Sequence, residues 1–297
     1  MRTASNVLSP GLVEQFTQAA VSPDPDLAEP ALLIARIGYP HLDPTPWLAR
    51  LDEMGSSAAE LLSASVQSDT PHGPINSLNG FIFKNQGFVG NTIDYDDPRN
   101  SFLNQVLERR TGIPITLALV YIEVARRAGI RVDGVNFPGH FLLRFPLDPD
   151  GDHDSAVFID PFDAGTMLSE TDCRALLRTH AGNAVAFEPS LLAPATKQQI
   201  LGRMLMNLKR IYLLMRSFPQ GHAITELLLA INPSALSQLR DRGLLAYHLN
   251  NYAAALHDLE TYLKFASYGD DSEESQQERV EIWGHVKSLR RKMASLN

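Results

Sequence analysis

The chain has 297 residues, 44% apolar and 20% charged, enough to bury one or two cores and too ordinary for a disordered, collagen-like or disulfide-stapled chain. Its 26 basic and 34 acidic side chains leave a net charge of −8, which argues against nucleic acid as the main partner and against a polybasic membrane-surface protein. The single cysteine, Cys173, can make neither an internal disulfide nor a cysteine-based zinc site. No apolar run reaches the roughly 18 residues of a membrane span. The N-terminal stretch carries Asp24, Asp26 and Glu29 and lacks the apolar segment of a secretory leader, so a cytoplasmic protein is expected.

The chain up to about residue 70 reads as short helices joined by proline-rich turns. Leu12, Val13 and Phe16 share one face after Pro10-Gly11, residues 27–37 form a second apolar segment, and Asp43 is a candidate N-cap before Trp47, Leu48 and Leu51. Residues 71–100 are rich in Gly and Pro and read as a long ordered loop, of the kind that is functional or structurally locked. Its Asp and Asn side chains are candidates for capping the next helix, a short one over 101–110. Residues 115–128 predict a mostly buried helix, with Pro114 in its first turn and Gly129 past its end.

Strands are predicted at 132–135, 141–145 and 156–160, the last two forming an antiparallel hairpin around a Gly/Asp/Pro-rich loop. A loop symmetric about Asp150 places His140 directly opposite Asp160 on one face of that hairpin. Asp148, Asp150, Asp152, His153 and Asp154 at its tip are acidic but lack calcium-loop spacing and read as a solvated turn. Residues 169–179 predict a helix capped by Ser169 and Asp172. A linker over 180–196 sets a domain boundary, giving domains 1–189 and 190–297. Everything after it reads as helical. Gly243, Tyr252 and Ala255 fall at the small, aromatic and small positions of a tetratricopeptide-like pattern, and Asn250-Asn251 marks the turn between two helices.

His140 is the first candidate for chemistry. A carboxylate opposite an imidazole fixes its tautomer and raises its basicity, the base-and-orienter half of a catalytic triad; the bland alternative has Asp160 capping the turn at Pro161-Phe162. Cys173, spaced with Leu176 and Leu177, reads as core. No compact ligand spacing points to a metal, and no cofactor is expected.

Four stretches carry a family resemblance: GFVGNTIDYDDPRN (87–100), FLNQVLERRTGIPITLALVYIEVARRAGI, VNFPGHFLLRF and FIDPFDAG. In this order they resemble the SirB-type proteins of the transglutaminase-like superfamily, over roughly residues 30–180. The resemblance implies an α+β, papain-like core in which a helix packs on a small antiparallel sheet, followed here by the all-α helical array. Active members use a Cys-His-Asp triad. Carried over, His140 matches the triad histidine, Asp160 matches the aspartate, and Gly112 and Ala118 place Pro114 at the cysteine position; an alignment shifted by two residues would place Thr116 there. Proline carries no nucleophile, and a threonine hydroxyl needs strong activation.

Two functions follow from these residues. The first is a non-catalytic or regulatory protein that holds a peptide in its former cleft and a protein partner on its helical repeats. The alternative is a hydrolase or acyl-transfer enzyme with His140 as base, Asp160 as orienter and Thr116 or water as the attacking group. Either way Asn91, Asp94, Tyr95, Asp97 and Asn100 are expected to line the cleft.

Overall fold

Proline punctuation sets the first helices, α1 (Pro10–Val21), α2 (Ala28–Ala35) and α3 (Thr45–Ser65). The Asp43 carboxylate accepts the Thr45 N–H at 3.0 Å just ahead of α3, as its capping preference predicts. The computed structural model describes residues 8–65, 72–147, 155–182, 185–266 and 272–295. They pack as two units, one of residues 18–207 and the other of residues 208–297 with 1–17.

The stretch expected as loop from residue 71 is partly helical. In α4 (Gly73–Asn79) Pro74 sits in the first turn, where a missing N–H costs nothing, and the helix continues as a π-helical turn over Gly80–Asn85 that buries Phe81, Ile82 and Phe83. Burial of that aromatic face outweighs the local preference of Gly80 for a break. The chain then runs through β1 (Val89–Gly90), a 3-10 turn over Pro98–Ser101, α5 (Leu103–Arg109) and β2 (Thr111–Gly112), which pairs parallel with β1.

Helix α6 (Pro114–Arg127) is the centre of this unit, buried at every position from Pro114 to Ala125. It packs against α3, α5 and two strands of the sheet, β3 (Asp133–Val135) and β4 (Leu142–Pro146). Each of its large aliphatic side chains contributes about 1.5–3 kcal/mol by leaving water. Its one interior charge, Glu123, is fully buried and fully used. That carboxylate accepts the Leu27 N–H at 2.9 Å and pairs with Arg126 and Arg127. With β5 (Ala156–Asp160) and β6 (Thr166–Leu168) the sheet is antiparallel in the order β3-β4-β5-β6.

Helix α7 (Glu170–Ala181) begins with the predicted capping box: the Ser169 hydroxyl accepts the Asp172 N–H, and the Asp172 carboxylate accepts the Ser169 N–H. The proline-rich segment that follows turns back onto the sheet. Leu192 packs with Val135, Phe137, Leu142 and Cys173, and the Ala195 N–H donates to the Gly134 carbonyl at 2.7 Å. Residues 190–207 are thus grouped with the sheet, and the division between the packed units falls at 207/208, inside α8 (Lys197–Leu214).

The other unit is all-helical: α9 (Phe218–Ile231), α10 (Leu236–His248), α11 (Tyr252–Ala266) and α12 (Glu273–Ala294). A Cβ on Gly243 would lie 2.8 Å from a Leu259 methyl, so α10 and α11 approach closely at that position. Asn250, at φ 61°, carries the turn between them. Ala246, Ala255, Leu259 and Val286 form its core. The architecture is α+β followed by a helical array, as the sequence predicts. Among the described residues no helix is long and apolar enough to cross a membrane.

Candidate functional site

The hairpin of β4 and β5 forms with a register two residues away from the expected one. Leu143 pairs with Ile159, so the ladder continues to Leu142, and not His140, opposite Asp160. The acidic tip residues 148–154 lie outside the described residues. A shift of two preserves the face, because side chains alternate with period two. His140 therefore sits in the turn before β4 and still meets Asp160, its Nε2 lying 2.9 Å from both carboxylate oxygens. The turn itself is tight: the His140 N–H donates to the Phe137 carbonyl at 3.1 Å across Pro138-Gly139, with Gly139 at φ 71°.

Asp160 has two tasks. One of its oxygens also accepts the Phe162 N–H at 2.8 Å and the Asp163 N–H at 3.3 Å. Burial alone would push this carboxyl upward. The hydrogen bond and charge of His140, with the two amides, outweigh burial and hold it below the ordinary aspartate range. An ionised Asp160 sets the His140 proton on Nε2 and leaves Nδ1 as the acceptor, an assignment made from the hydrogen-bond network. Both residues are nearly buried, His140 6% exposed and Asp160 7%.

The cleft beside this pair is small, about 10 Å³, room for one water-sized group. Gly139, His140 and Phe141 form one wall, Pro114 and Ile115 of the α6 N-terminus a second, and Tyr95, Arg203 and Asn207 complete it. Pro114 thus shares a cleft with His140, and the ring offers no attacking atom. Thr116 lies two positions further into α6 and is fully buried. Its hydroxyl donates to the Asn100 carbonyl at 2.7 Å and accepts the Ile113 N–H at 3.1 Å. With its proton committed in this way, Thr116 is a brace at the start of α6, and the expectation of an attacking hydroxyl there is corrected on that ground. Cys173 is fully buried in the core beneath the sheet. Burial, with the charges of Asp172, Glu170 and Asp160, pushes its thiol up to about 12.

Of the five loop residues expected to line the cleft, Tyr95 does so, its ring packed edge-on against Phe162 at 6.0 Å. The other four hold the loop together. Asn91 accepts the Ile93 and Asp94 N–H groups and donates to Asn100 at 3.1 Å. Asn100, fully buried, donates to the Asp94 carbonyl at 2.7 Å. Asp97 caps the 3-10 turn through the Arg99 N–H at 2.9 Å. Burial would raise the Asp97 carboxyl, but its bonds to Arg99 and the charges of Arg99 and Arg109 hold it low. These bonds lock the loop itself; the helix that follows, α5, has Phe102 at its N-cap and no side-chain cap, so the expected capping of that helix is corrected as well.

Three site residues have no signal in the sequence. His180, in the last turn of α7, stacks on His140 with ring centroids 5.0 Å apart and planes at 11°. Burial, and then the proximity of His140, lowers its pKa. Arg203 and Asn207, one turn apart on α8, reach the cleft from more than forty residues beyond the hairpin. Among the described residues no three His, Cys, Asp or Glu side chains converge as a metal site would require.

Comparison with known proteins agrees with this arrangement. Residues 208–280 match a tetratricopeptide repeat. A UPF0162 protein of Xylella fastidiosa is 40% identical over 243 residues, covering 80% of this chain and 83% of that one. A UPF0162 protein of Pseudomonas aeruginosa is 36% identical over 192 residues, 63% of this chain and 65% of that one. Human F-box only protein 21 is 35% identical over 137 residues, 45% of this chain and 21% of that protein. Residues 45–206, which hold α6, the sheet and the His140–Asp160 pair, match the transglutaminase-like superfamily, and the chain belongs to it.

Proposed function

We propose that this chain is a SirB-type, cytoplasmic binding protein. Its transglutaminase-like cleft holds a peptide segment, and its helical repeats hold a protein partner. The observation that carries the reading is Pro114, an apolar ring at the α6 N-terminus in the same cleft as His140. The committed Thr116 hydroxyl and the buried Cys173 supply no substitute nucleophile. The helical unit contributes a second surface, a groove of about 230 Å³ lined by Leu236, Arg240, Tyr262, Phe265 and Glu278.

The second reading, an enzyme using His140 as base and an attacking water, is favoured by the intact pair: Nε2 held by Asp160 leaves Nδ1 to take a proton. One experiment separates the two. The purified chain and its His140→Ala variant are given fluorogenic esters, peptide anilides and a glutamine donor with a fluorescent amine. Binding of a fluorescent peptide panel is measured alongside. The binding reading expects peptide binding with no turnover above that of the variant. Turnover that disappears in His140→Ala overturns it in favour of the enzyme.

A further inference from the structure

The cleft contains a cation whose counter-charge the described residues do not supply. Half-buried on α8, Arg203 donates from one terminal nitrogen to the neutral Asn136 amide at 2.9 Å. Three other buried or half-buried cations of this chain hold a carboxylate, whereas half-buried Arg36 bonds the Leu42 carbonyl. Arg144 has Asp133 at 3.6 Å, Arg242 grips Asp258 through two bonds at 2.7 and 2.8 Å, and buried Lys209 has Asp241. No acidic side chain among the described residues stands within ion-pair distance of Arg203. Burial lowers its pKa, opposed only by the proximity of Tyr95. Desolvating a guanidinium without a partner is costly, and a ligand that completes the pair recovers that cost.

We infer that the cleft accepts a carboxylate, anchored by Arg203 with Asn207 beside it and His140 at the inner wall. This rests on the reading of the cleft as a peptide-binding site. A carboxylate fits for three reasons. The guanidinium keeps donors beyond the one spent on Asn136, and its planar fork matches two carboxylate oxygens. A space of about 10 Å³ takes a single small polar group at its mouth, not a folded surface. Asp160, beside His140, already holds that ring and two backbone amides and makes no ion pair with Arg203. The carboxylate comes either from the C-terminus of a peptide or from a Glu or Asp side chain.

The probes are fluorescein-labelled octapeptides in four matched forms: free acid or C-terminal amide, each with a central Glu or Gln. Anisotropy titrations of the full chain are expected to show one carboxylate form binding about 10- to 100-fold more tightly than its neutral match, the strength of a charge-assisted pair. The form that shows the preference identifies the source, terminus or side chain. Arg203→Gln should abolish the preference, binding acid and neutral forms alike. If that variant loses its cooperative melting, Arg203→Lys, which keeps the charge and loses the fork, serves in its place and should lose most of the preference. Equal binding of carboxylate and neutral forms by the unaltered chain overturns the inference while leaving the cleft a binding site. So does a preference unchanged by the Arg203 variants. Failure of every peptide to bind overturns the binding reading beneath it.

Discussion

Replacing Pro114 with cysteine tests whether this residue stands where an attacking thiol would stand. The substitution is mild. A proline in the first helical turn gives up no intrahelical hydrogen bond, and the smaller side chain opens the cleft. The new thiol would lie at the N-terminus of α6, in the cleft that holds the Asp160-oriented His140. Thiols at helix N-termini or beside an imidazolium titrate at about 3.5–7.5, against about 8.5 for a free cysteine. With about 5.5 as a working value, the thiolate fraction at pH ~6 rises from about 0.3% to about 75%, roughly 240-fold. A less basic thiolate is a poorer nucleophile, and a Brønsted slope of about 0.45 removes roughly 20-fold of that gain. Alkylation by iodoacetamide at pH ~6 should therefore run about tenfold faster than for a free thiol, and fall at least to the free-thiol rate when His140→Ala is added. Cys173, fully buried with its thiol raised to about 12, contributes no competing signal in the native protein. A Pro114→Cys thiol that titrates at the ordinary cysteine value and ignores His140→Ala, or one that does not react at all, would refute the placement of Pro114 at the nucleophile position.

Two further outcomes follow from the same geometry. Thr116→Val removes the hydroxyl between Asn100 and Ile113; leaving that carbonyl and amide without it should cost about 1–3 kcal/mol for each unsatisfied group and raise amide hydrogen exchange first in residues 89–101. Unchanged exchange and an unchanged urea midpoint would contradict the brace. Asp160 is held below its ordinary range in the folded protein, so its contribution to stability is complete above the unfolded value of about 3.9 and is lost as pH falls through the lower, folded value. The urea midpoints of the unaltered chain and of Asp160→Asn should lie apart at neutral pH and converge in acid; parallel profiles would show that the carboxylate is not held low.

What could be read from the sequence was what local pattern encodes. The Ser169–Asp172 cap, the buried helix after Pro114 and the His140–Asp160 encounter all rest on spacing, and the last survives a two-residue register error because a strand repeats every two residues. The 73–85 helix was hidden because Gly73, Pro74 and Gly80 signal a break, while the burial of Phe81, Ile82 and Phe83 that overrides them is a tertiary effect. Thr116 drew notice for its hydroxyl, but only the fold reveals the Asn100 carbonyl that holds its proton. His180, Arg203 and Asn207 belong to helices whose own patterns are ordinary amphipathic ones. Which helix closes over a cleft made by a distant hairpin is decided by packing, as when Leu192 folds the preceding prolines back beside Val135.

The buried amide of Asn100 has a consequence for how the cleft meets a ligand. Its side chain ties together Asn91 and the Asp94 carbonyl, and its own carbonyl holds Thr116 on α6. The Tyr95 wall and the Pro114 wall are thereby joined through one hub and keep a set spacing before anything binds. A ligand entering such a mould loses its own freedom but does not have to freeze a loop as well, so each contact it makes counts more fully toward affinity. Softening the hub should therefore weaken binding without touching a single residue that meets the ligand.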